Sequence, residues 1–316
     1  MILTLTPSPS LDLSYDLPHL DLGDLNRTGR ASFVAGGKGL NVSRILSKMK
    51  VSTKAIVPIR KDQIDLFINS SHMSHRTVEV VNVAGSIRFN VSILHDGETT
   101  KINAETPSWS MQESVEIART FKAKSRRSSF SVIGGALPAG TSPVWLRELI
   151  LETRSRTRVV IDCSGEALRE AVQARPFLIK PNLQEAENLL QTTISTSQEI
   201  KSACESMIKM GVSNVLLSLG AKGSIFYDGK TFWQASPKQI SVINTVGAGD
   251  ALLAGFLGAY KSSPGAALAV GMAWSEAAIV SQGTDVSAKS VQPEMARVRQ
   301  VSNGIFNFDN TDVGQI

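Results

Sequence analysis

The chain has 316 residues, of which 42% are hydrophobic and 19% charged, and its formal net charge is +5. This composition is typical of a globular protein with a substantial buried core, and the positive charge favours anionic ligands. The densest basic stretches, residues 122–127 and 154–158, do not alternate with aromatic residues, so we interpret them as solvated ends of helices and loops and expect no nucleic-acid partner.

Short β-type runs alternate with helical patterns along most of the chain. Such alternation predicts a parallel sheet covered by helices on both faces. The predicted strands are residues 1–6, 53–59, 129–138, 158–165, 177–182 and 214–220. The clearest predicted helices are residues 39–49, 142–154 and 184–190.

Two regions break this pattern, because their apolar and polar residues alternate without intervening helices. The second of them predicts a β-hairpin that turns at Asp96 and Gly97. We therefore assign residues 11–34 and 87–103 to a small β-sheet lid, and residues 1–10, 35–86 and 104–316 to an α/β core. The small sheet is interpreted as a lid or a dimer surface, or else as a plain extra layer.

Polar residues follow several of the predicted core strands, at residues 8–12, 162–164, 180–182 and 218–223. The carboxyl ends of parallel strands meet at one edge of a sheet, and ligands bind there. The sequence therefore predicts a single cleft along that edge.

A glycine-rich stretch precedes an acid near the C-terminal end, with Gly247, Ala248 and Gly249 directly before Asp250. Small residues at a helix start leave backbone N–H groups unobstructed, and the helix dipole makes that end attractive to anions. A fixed carboxylate beside such an anion hole suits phosphoryl transfer to a hydroxyl, with Asp250 accepting the proton. The alternative is a tight turn in which Asp250 only caps the helix.

A second glycine-rich helix entry lies at residues 35–46. Gly36, Gly37 and Gly39 allow a substrate to approach the backbone, while Lys38 supplies a cation and Asn41 a polar amide. The spacing matches neither a Walker A loop nor a dinucleotide fingerprint.

In this order and at this separation, the two motifs resemble those of the phosphofructokinase B family of carbohydrate kinases. Further similar segments are TPSPSLD, IDCSGEAL, KPNLQEAENLL, LLSLGAKGSIFY and SQGT, which together span most of the chain. The resemblance implies a ribokinase-like α/β fold, a three-layer α/β/α core with a mostly parallel sheet and a small β-sheet lid. It also implies ATP and Mg²⁺ as cofactors.

The resemblance also implies a role for each matching residue. Asp250 would be the catalytic base, and the amides of Gly247, Ala248 and Gly249 the anion hole. The sugar would contact Asp12, Gly36, Gly37, Asn41 and Asn90. The nucleotide site would comprise Lys180, Asn182, Ser218, Gly220, Gly223 and Gly249. Asn182 and Glu185 would hold Mg²⁺ through water. The alternative, which Glu185 taken by itself favours, is a first-turn acid that complements a helix dipole.

Three cations are candidates for binding a phosphate on the substrate, namely Arg27, Lys38 and Arg88. The alternative is that all three are ordinary surface charges with no ligand. The family branch commonly has Ser-Gly-Ser where this chain has Gly134, Gly135 and Ala136. Two hydroxyls expected near the sugar are therefore missing, and the resemblance does not fix which hexose phosphate is bound.

The expected activity is ATP-dependent phosphorylation of a hexose phosphate, with fructose 1-phosphate as first choice because residues 88–103 resemble the 1-phosphofructokinase pattern. Tagatose 6-phosphate and fructose 6-phosphate are alternatives, as is a kinase for nucleosides or unphosphorylated sugars. An alternative of another class is a non-catalytic sensor of sugar phosphates on a kinase scaffold. We expect a homodimer formed through the lids, which would cover exposed sheet edges.

The remaining reactive residue types give no independent site. Cys163 and Cys204 make neither a disulfide framework nor a zinc spacing, and we interpret Cys163 as a buried side chain rather than a nucleophile. The four scattered histidines are expected at the surface. No apolar run of about 18 residues and no signal-peptide pattern occur, so we expect a cytoplasmic protein without membrane contact.

Overall fold

The computed structural model describes residues 1–238, 240, 245–281, 286–301 and 306. Residues 242–244, which lead into the second glycine-rich motif, and residues 282–284 of the SQGT segment lie outside the described residues. The described strands, numbered along the chain, are β1 (Ile2–Leu5), β2 (Ser10–Asp16), β3 (Ala31–Gly36), β4 (Thr53–Ile59), β5 (Val78–Asn82), β6 (Arg88–His95), β7 (Glu98–Asn103), β8 (Phe130–Gly134), β9 (Arg158–Asp162), β10 (Leu178–Ile179), β11 (Asn214–Ser218), β12 (Ser224–Tyr227), β13 (Phe232–Ala235) and β14 (Val298–Val301).

Ten of these strands form the main sheet, in the order β14-β13-β12-β11-β10-β9-β8-β1-β4-β5. The pairs from β5 to β11 are parallel, whereas β12, β13 and β14 extend the sheet with antiparallel pairs. β10 is shorter than predicted, and Pro181 lies just beyond its end, where it has no amide hydrogen to continue the ladder.

Helices cover both faces of this sheet. They are α1 (Lys38–Lys48), α2 (Ile64–Ser71), α3 (Met111–Ser125), α4 (Pro143–Thr153), α5 (Gly165–Gln173), α6 (Leu183–Leu190), α7 (Ser197–Lys209), α8 (Ala248–Gly258) and α9 (Pro264–Ile279). Leu46 of α1 and Phe256 of α8 belong to one buried cluster, whereas Phe121 of α3 and Leu149 of α4 belong to another. This confirms the predicted three-layer α/β/α core. None of the described helices is long and apolar enough to cross a membrane.

The remaining four strands form a small sheet in the order β3-β2-β6-β7, which confirms the predicted second sheet. β2 is antiparallel to β3 but parallel to β6, and β6 pairs antiparallel with β7. The predicted hairpin turns at Asp96 (φ 51°) and Gly97 (φ 80°). Positive φ at both central residues is what a two-residue type I′ turn requires.

The strand register gives the small sheet one apolar and one polar face. The apolar face carries Leu11, Leu13, Tyr15, Phe33, Phe89, Val91, Ile93 and Ile102. The polar face carries Ser10, Asp12, Ser14, Arg88, Asn90 and Ser92. Leu11 is buried in one cluster with Phe67 of α2, so the main domain covers the end of the apolar face nearest to it.

Helix α8, which begins at the glycine-rich motif, packs closely against α9 at Gly255. A Cβ added at Gly255 would lie 2.8 Å from the carbonyl oxygen of Val270 and 2.9 Å from the Cα of Gly271. Both atoms belong to the backbone of α9, so a side chain at this position would force the helices apart.

We expect Gly255→Ala to lower the free energy of unfolding by at least about 2 kcal/mol, because an added methyl group cannot be accommodated by a rotamer change. Gly29→Ala is the matched control, since a Cβ at Gly29 has no heavy atom within 4 Å. Urea unfolding of both variants measures the difference. Equal stabilities would show that the helix crossing tolerates the methyl group.

Candidate active site

The first glycine-rich loop lies against the carboxyl end of β1. Gly37 precedes α1 with φ 126°, a conformation that side-chain-bearing residues rarely adopt. A Cβ at Gly37 would lie 2.3 Å from Cγ2 of Thr6, and one at Gly39 would lie 2.6 Å from the carbonyl oxygen of Leu5. The loop therefore needs glycine at both positions, and the close approach places the start of α1 at the sheet edge where the predicted cleft lies.

The second glycine-rich motif forms the start of α8. Gly247 (φ 81°) is the N-cap, and its carbonyl oxygen accepts the amide hydrogen of Ala251 at 2.8 Å. The amide of Ala248 makes only a long hydrogen bond of 3.4 Å to Thr245. The first amides of a helix have no partner within the helix, so Ala248 and Gly249 present N–H groups and the positive end of the helix dipole at this point.

Asp250 lies in the first turn of α8 and is buried, with 7% of its surface exposed. Its Oδ2 accepts a hydrogen bond of 2.8 Å from Nδ2 of Asn41, a residue of α1. Burial, reinforced by the negative charge of Asp162, raises the pKa of Asp250 to about 6, although the Asn41 hydrogen bond and the cations Lys38 and Lys180 act in the opposite direction. A carboxylate of this basicity is well suited to accept a proton from an alcohol near neutral pH.

Two lysines and a buried carboxylate lie beside Asp250. Asp162, at the end of β9, is 2.8 Å from Nζ of Lys38 and 3.2 Å from Nζ of Lys180. Glu185 lies 3.7 Å from the same Lys38 ammonium. Burial alone would raise the pKa of Asp162, but the attraction of Lys180 and Lys38 outweighs it and holds the pKa below its usual range.

This cluster bears on two interpretations made from the sequence. Lys38 was expected to bind a substrate phosphate, but in the structure its ammonium is paired with Asp162 and Glu185. Asp162 was not assigned a role, although its place at the end of a predicted strand was the available signal.

Lys180 lies next to the start of α8. A Cβ added at Gly249 would be 3.1 Å from the Nζ of Lys180.

Asn182 and Glu185 begin α6 as a reciprocal capping box. The side chain of Asn182 accepts the amide of Glu185 at 2.8 Å, and Oε2 of Glu185 accepts the amide of Asn182 at 2.9 Å. Glu185 therefore has the helix-start role that was its alternative interpretation, while its Oε1 faces Lys38. No group of three or more carboxylate, histidine or cysteine ligands with metal-binding geometry occurs among the described residues.

The polar face of the small sheet supplies a second group of predicted residues. Oδ1 of Asp12 accepts hydrogen bonds of 2.8 Å from Ser10 and from Nδ2 of Asn90. A Cβ at Gly36 would lie 2.0 Å from Oδ2 of Asp12, so only glycine fits beside this carboxylate. The structure thus brings Asp12, Gly36 and Asn90 together, as the sequence predicted of sugar-binding residues.

Several polar atoms in this region are buried without a hydrogen-bond partner in the described structure. They are Oγ of Ser8, Nε of Arg88 and Oδ1 of Asn90. Burial lowers the pKa of Arg88, and the nearby Asp12 opposes that shift. Unpaired buried donors and acceptors are costly, so their concentration here is typical of a site that binds a polar ligand.

The predicted nucleotide-binding residues lie at the next strands along the same edge. Ser218 ends β11 and forms a parallel bridge with Asn182. Gly220 (φ 58°) and Gly223 (φ 91°) form the turn into β12, and a Cβ at Gly223 would lie 2.1 Å from the carbonyl oxygen of Ala235. Ser218 is therefore adjacent to Asn182, the N-cap residue of α6.

The structure leaves Arg27 apart from this group. Arg27 is exposed in the connection between β2 and β3, and no hydrogen bond or ion pair with another described residue involves it. Cys163 is buried beside Asp162, and burial raises the pKa of its thiol to about 12, which disfavours a nucleophilic role.

Comparison with known proteins agrees with this geometry. The profile of the pfkB family of carbohydrate kinases matches residues 8–292. Phosphofructokinase-2 from Escherichia coli, in its structure with potassium, is 26% identical and superposes with a TM-score of 0.85 over 93% of this chain and 98% of its own. A possible 1-phosphofructokinase from Thermotoga maritima, 21% identical, has the same fold, with a TM-score of 0.83 over 96% of this chain and 100% of its own.

The fold of these proteins is the ribokinase-like one that the sequence motifs predicted. The profile match covers both glycine-rich motifs, the strand end at Asp162 and the capping box of α6. The chain therefore belongs to the pfkB family of carbohydrate kinases.

Proposed function

We propose that this kinase transfers the γ-phosphoryl group of ATP to a primary hydroxyl of a phosphorylated hexose, and that fructose 1-phosphate, giving fructose 1,6-bisphosphate, is its substrate. The observation that carries the proposal is the buried carboxylate of Asp250, hydrogen-bonded to Asn41 and placed in the first turn of α8. A binding protein that only senses a sugar phosphate has no need of a buried base beside an anion hole.

The residues of the site divide the reaction between them. Asp250 accepts the proton of the attacking hydroxyl. The amides at Ala248 and Gly249 stabilise the negative charge of the phosphoryl group in transit. Lys180, which lies beside Gly249, neutralises charge on the nucleotide phosphates.

Magnesium bound with ATP would supply further neutralisation of the phosphates. The side-chain oxygens of Glu185 and Asn182 already accept hydrogen bonds within the capping box, and Oε1 of Glu185 also faces Lys38. They therefore fit a cation that keeps most of its water ligands and is contacted through them. A chelating set of carboxylates is not required for Mg²⁺ that arrives with its nucleotide.

The polar face of the small sheet favours a phosphorylated sugar. Asp12 and Asn90 present a carboxylate and an amide to sugar hydroxyls, while Arg88 contributes a half-buried guanidinium whose Nε has no partner in the described structure. Arginine binds phosphate oxygens through two parallel hydrogen bonds. Fructose 1-phosphate is preferred over tagatose 6-phosphate and fructose 6-phosphate because residues 88–103 resemble the 1-phosphofructokinase pattern.

An ATP-consumption assay with purified protein tests this proposal. The panel contains the three hexose phosphates, fructose, ribose and adenosine, each with Mg²⁺ and ATP. We expect the highest kcat/KM with fructose 1-phosphate. Turnover confined to an unphosphorylated sugar or a nucleoside would contradict the substrate class, and binding without turnover on every compound would favour the sensor.

We expect Arg88→Ala to raise the KM for the sugar phosphate by about 10- to 100-fold, because a charge-assisted hydrogen bond to phosphate contributes about 1.5–3 kcal/mol. The KM for ATP should change less than threefold. Arg30→Ala is the control, since Arg30 directly precedes β3 of the same sheet but pairs with Asp16 at the surface. Equal increases in both KM values would show that Arg88 does not recognise the sugar phosphate.

We further propose that two chains associate through their lids in the cytoplasm. Beyond the part covered by α2, the apolar face of the small sheet exposes Tyr15 (36%), Phe89 (42%) and Ile102 (59%). Exposed contiguous apolar side chains on a sheet are typical of an interface.

Sedimentation velocity tests the dimer. Ile102→Glu places a charge on the apolar face of β7, and we expect it to shift the protein from dimer to monomer at micromolar concentration. Thr99→Glu adds the same charge to the opposite face of the same strand and should leave the dimer intact. A dimer that survives Ile102→Glu would place the interface elsewhere.

A further inference from the structure

A basic cleft lies at the opposite edge of the main sheet from the active site. It has a volume of about 920 Å³ and is lined by residues from the amino-terminal ends of β8 and β9 and from the loops that follow α4 and α5. Arg158 is the first residue of β9 and Asp162 is its last, so the strand separates the cleft from the Asp162 cluster by roughly 13 Å. The cleft is therefore distinct from the site described above.

Four arginines line the cleft, namely Arg154, Arg156, Arg158 and Arg175, and no acidic residue is among its lining residues. None of the four makes an ion pair with another residue in the described part of the chain. Other arginines of the protein do pair with carboxylates, as the bonds of Arg60, Arg119, Arg147, Arg169 and Arg297 show. The cleft thus gathers positive charge that the protein itself does not neutralise with carboxylates.

Three of the four side chains are held in place by the fold. The guanidinium of Arg158 lies 5.2–5.6 Å from the centroids of the Phe130, Phe177 and Tyr260 rings, a cation–π arrangement. Arg154 donates to the carbonyl oxygen of Ala174 at 3.0 Å. The side chain of Arg175 packs across the Cα of Gly211, where a Cβ would lie 2.6 Å from its Cγ. Because these three side chains are already held by the fold, a ligand that binds them loses less free energy to the ordering of side chains.

Helix ends account for only part of this charge. α4 ends directly before Arg154, and α5 ends two residues before Arg175. Each helix C-terminus carries about half a negative charge, so two of them balance about one of the four arginines. All four arginines are exposed, so the remaining positive charge faces solvent and is available to an anionic ligand.

We propose that this cleft binds a small anion that carries two or more phosphoryl groups. Guanidinium groups bind phosphate oxygens in pairs, and several arginines around one concavity can engage more than one phosphoryl group. The hydroxyls of Ser155 and Ser213 line the same cleft and add donors. Its volume is that of a small-molecule site, and its concave shape favours a compact ligand over an extended nucleic acid.

Equilibrium dialysis of the full chain with radiolabelled tripolyphosphate at 150 mM salt tests the proposal. Tripolyphosphate can also enter the ATP site, so the informative quantity is the difference in stoichiometry between proteins. We expect wild type to bind one equivalent more than the double variant Arg156→Gln/Arg175→Gln. The control Arg119→Gln/Arg169→Gln removes the same charge from arginines that pair with carboxylates, and it should retain the wild-type stoichiometry.

Two further arms identify the ligand class. Inorganic phosphate should bind the cleft at least tenfold more weakly than tripolyphosphate, because one phosphoryl group engages fewer arginines. Equal stoichiometry in wild type and the double variant, or an equal loss in the control, would overturn the proposal. An oligonucleotide that displaces tripolyphosphate at a lower phosphate concentration would also overturn it and indicate a nucleic-acid surface. All four substitutions are at arginines outside the proposed kinase site, so either outcome leaves the proposed function untouched.

Discussion

Replacement of Asp250 by asparagine is expected to lower kcat by about 10²- to 10⁴-fold, which is the range typical of losing a positioned general base. Asparagine keeps the shape of the side chain and an oxygen that can accept the hydrogen bond from Asn41, so the start of α8 should not move. The measurement is ADP release under saturating substrates, together with ATP affinity by calorimetry. ATP affinity should change less than threefold.

The conservative neighbour Asn41→Asp is not a suitable control, because it would place a second carboxylate against Asp250. Asn188→Asp is suitable, since Asn188 lies on the exposed surface of α6 away from the base. That variant should keep wild-type turnover. Near-normal turnover of Asp250→Asn would remove Asp250 from the role of base.

The raised pKa of Asp250 sets the acid limb of the pH profile. Because its pKa is about 6, the carboxylate that accepts the proton is depleted below that pH, and kcat/KM should fall tenfold per pH unit there. A group other than Asp250 with an ordinary carboxyl pKa would place the limb near pH 4. The profile from pH 4.5 to 8 distinguishes the two.

The same shift has a consequence for stability. A carboxyl whose pKa is raised on folding makes the ionised protein less stable, by an amount that grows from pH 4 to pH 6 and is constant above it. A rise from 3.8 to about 6 corresponds to at most about 3 kcal/mol. Asp250→Asn should therefore unfold at a higher urea concentration than wild type at pH 7.5, and the gain should disappear at pH 4.

Local sequence patterns were sufficient to predict the parallel sheet, the hairpin and the helix starts at the glycine-rich motifs. Gly37 and Gly247 have positive φ, and Asp96 and Gly97 form a turn whose residues dictate its type. These features depend on a few consecutive residues, so the sequence contains them directly. The antiparallel strands β12 to β14 were not predicted as an extension of the sheet, because their pairing depends on neighbours far along the chain.

The pairing of Lys38 shows where sequence reasoning stops. A lysine in a glycine-rich loop is compatible with binding a substrate phosphate or with an internal ion pair. Its partner Asp162 is 124 residues away. It reaches Lys38 only because β9 lies two places from β1 in the main sheet, with β8 between them, and the end of β1 contacts the loop that begins α1. Spacing within one motif cannot distinguish these alternatives.

The second large effect is expected at Asp162, whose side chain is 1% exposed between Lys38 and Lys180. Asp162→Asn removes the counter-charge of Lys180, which is itself 5% exposed, whereas Lys38 retains Glu185 nearby. Loss of one partner of a buried ion pair costs about 3–5 kcal/mol, because the other charge remains without compensation. Urea unfolding should show a loss of that size, and Asp62→Asn, at an exposed pair with Arg60, should change stability by less than about 1 kcal/mol.

The charge origin of this loss can be separated from a loss of packing. Lys180→Met in the Asp162→Asn background removes the uncompensated ammonium, so the double variant should be more stable than Asp162→Asn alone. Any residual turnover of Asp162→Asn should also have its acid limb at lower pH, since the negative charge of Asp162 is one cause of the raised pKa of Asp250. An unchanged limb together with no recovery in the double variant would show that Asp162 acts through shape rather than through charge, and the buried Lys180 would then need another source of neutralisation.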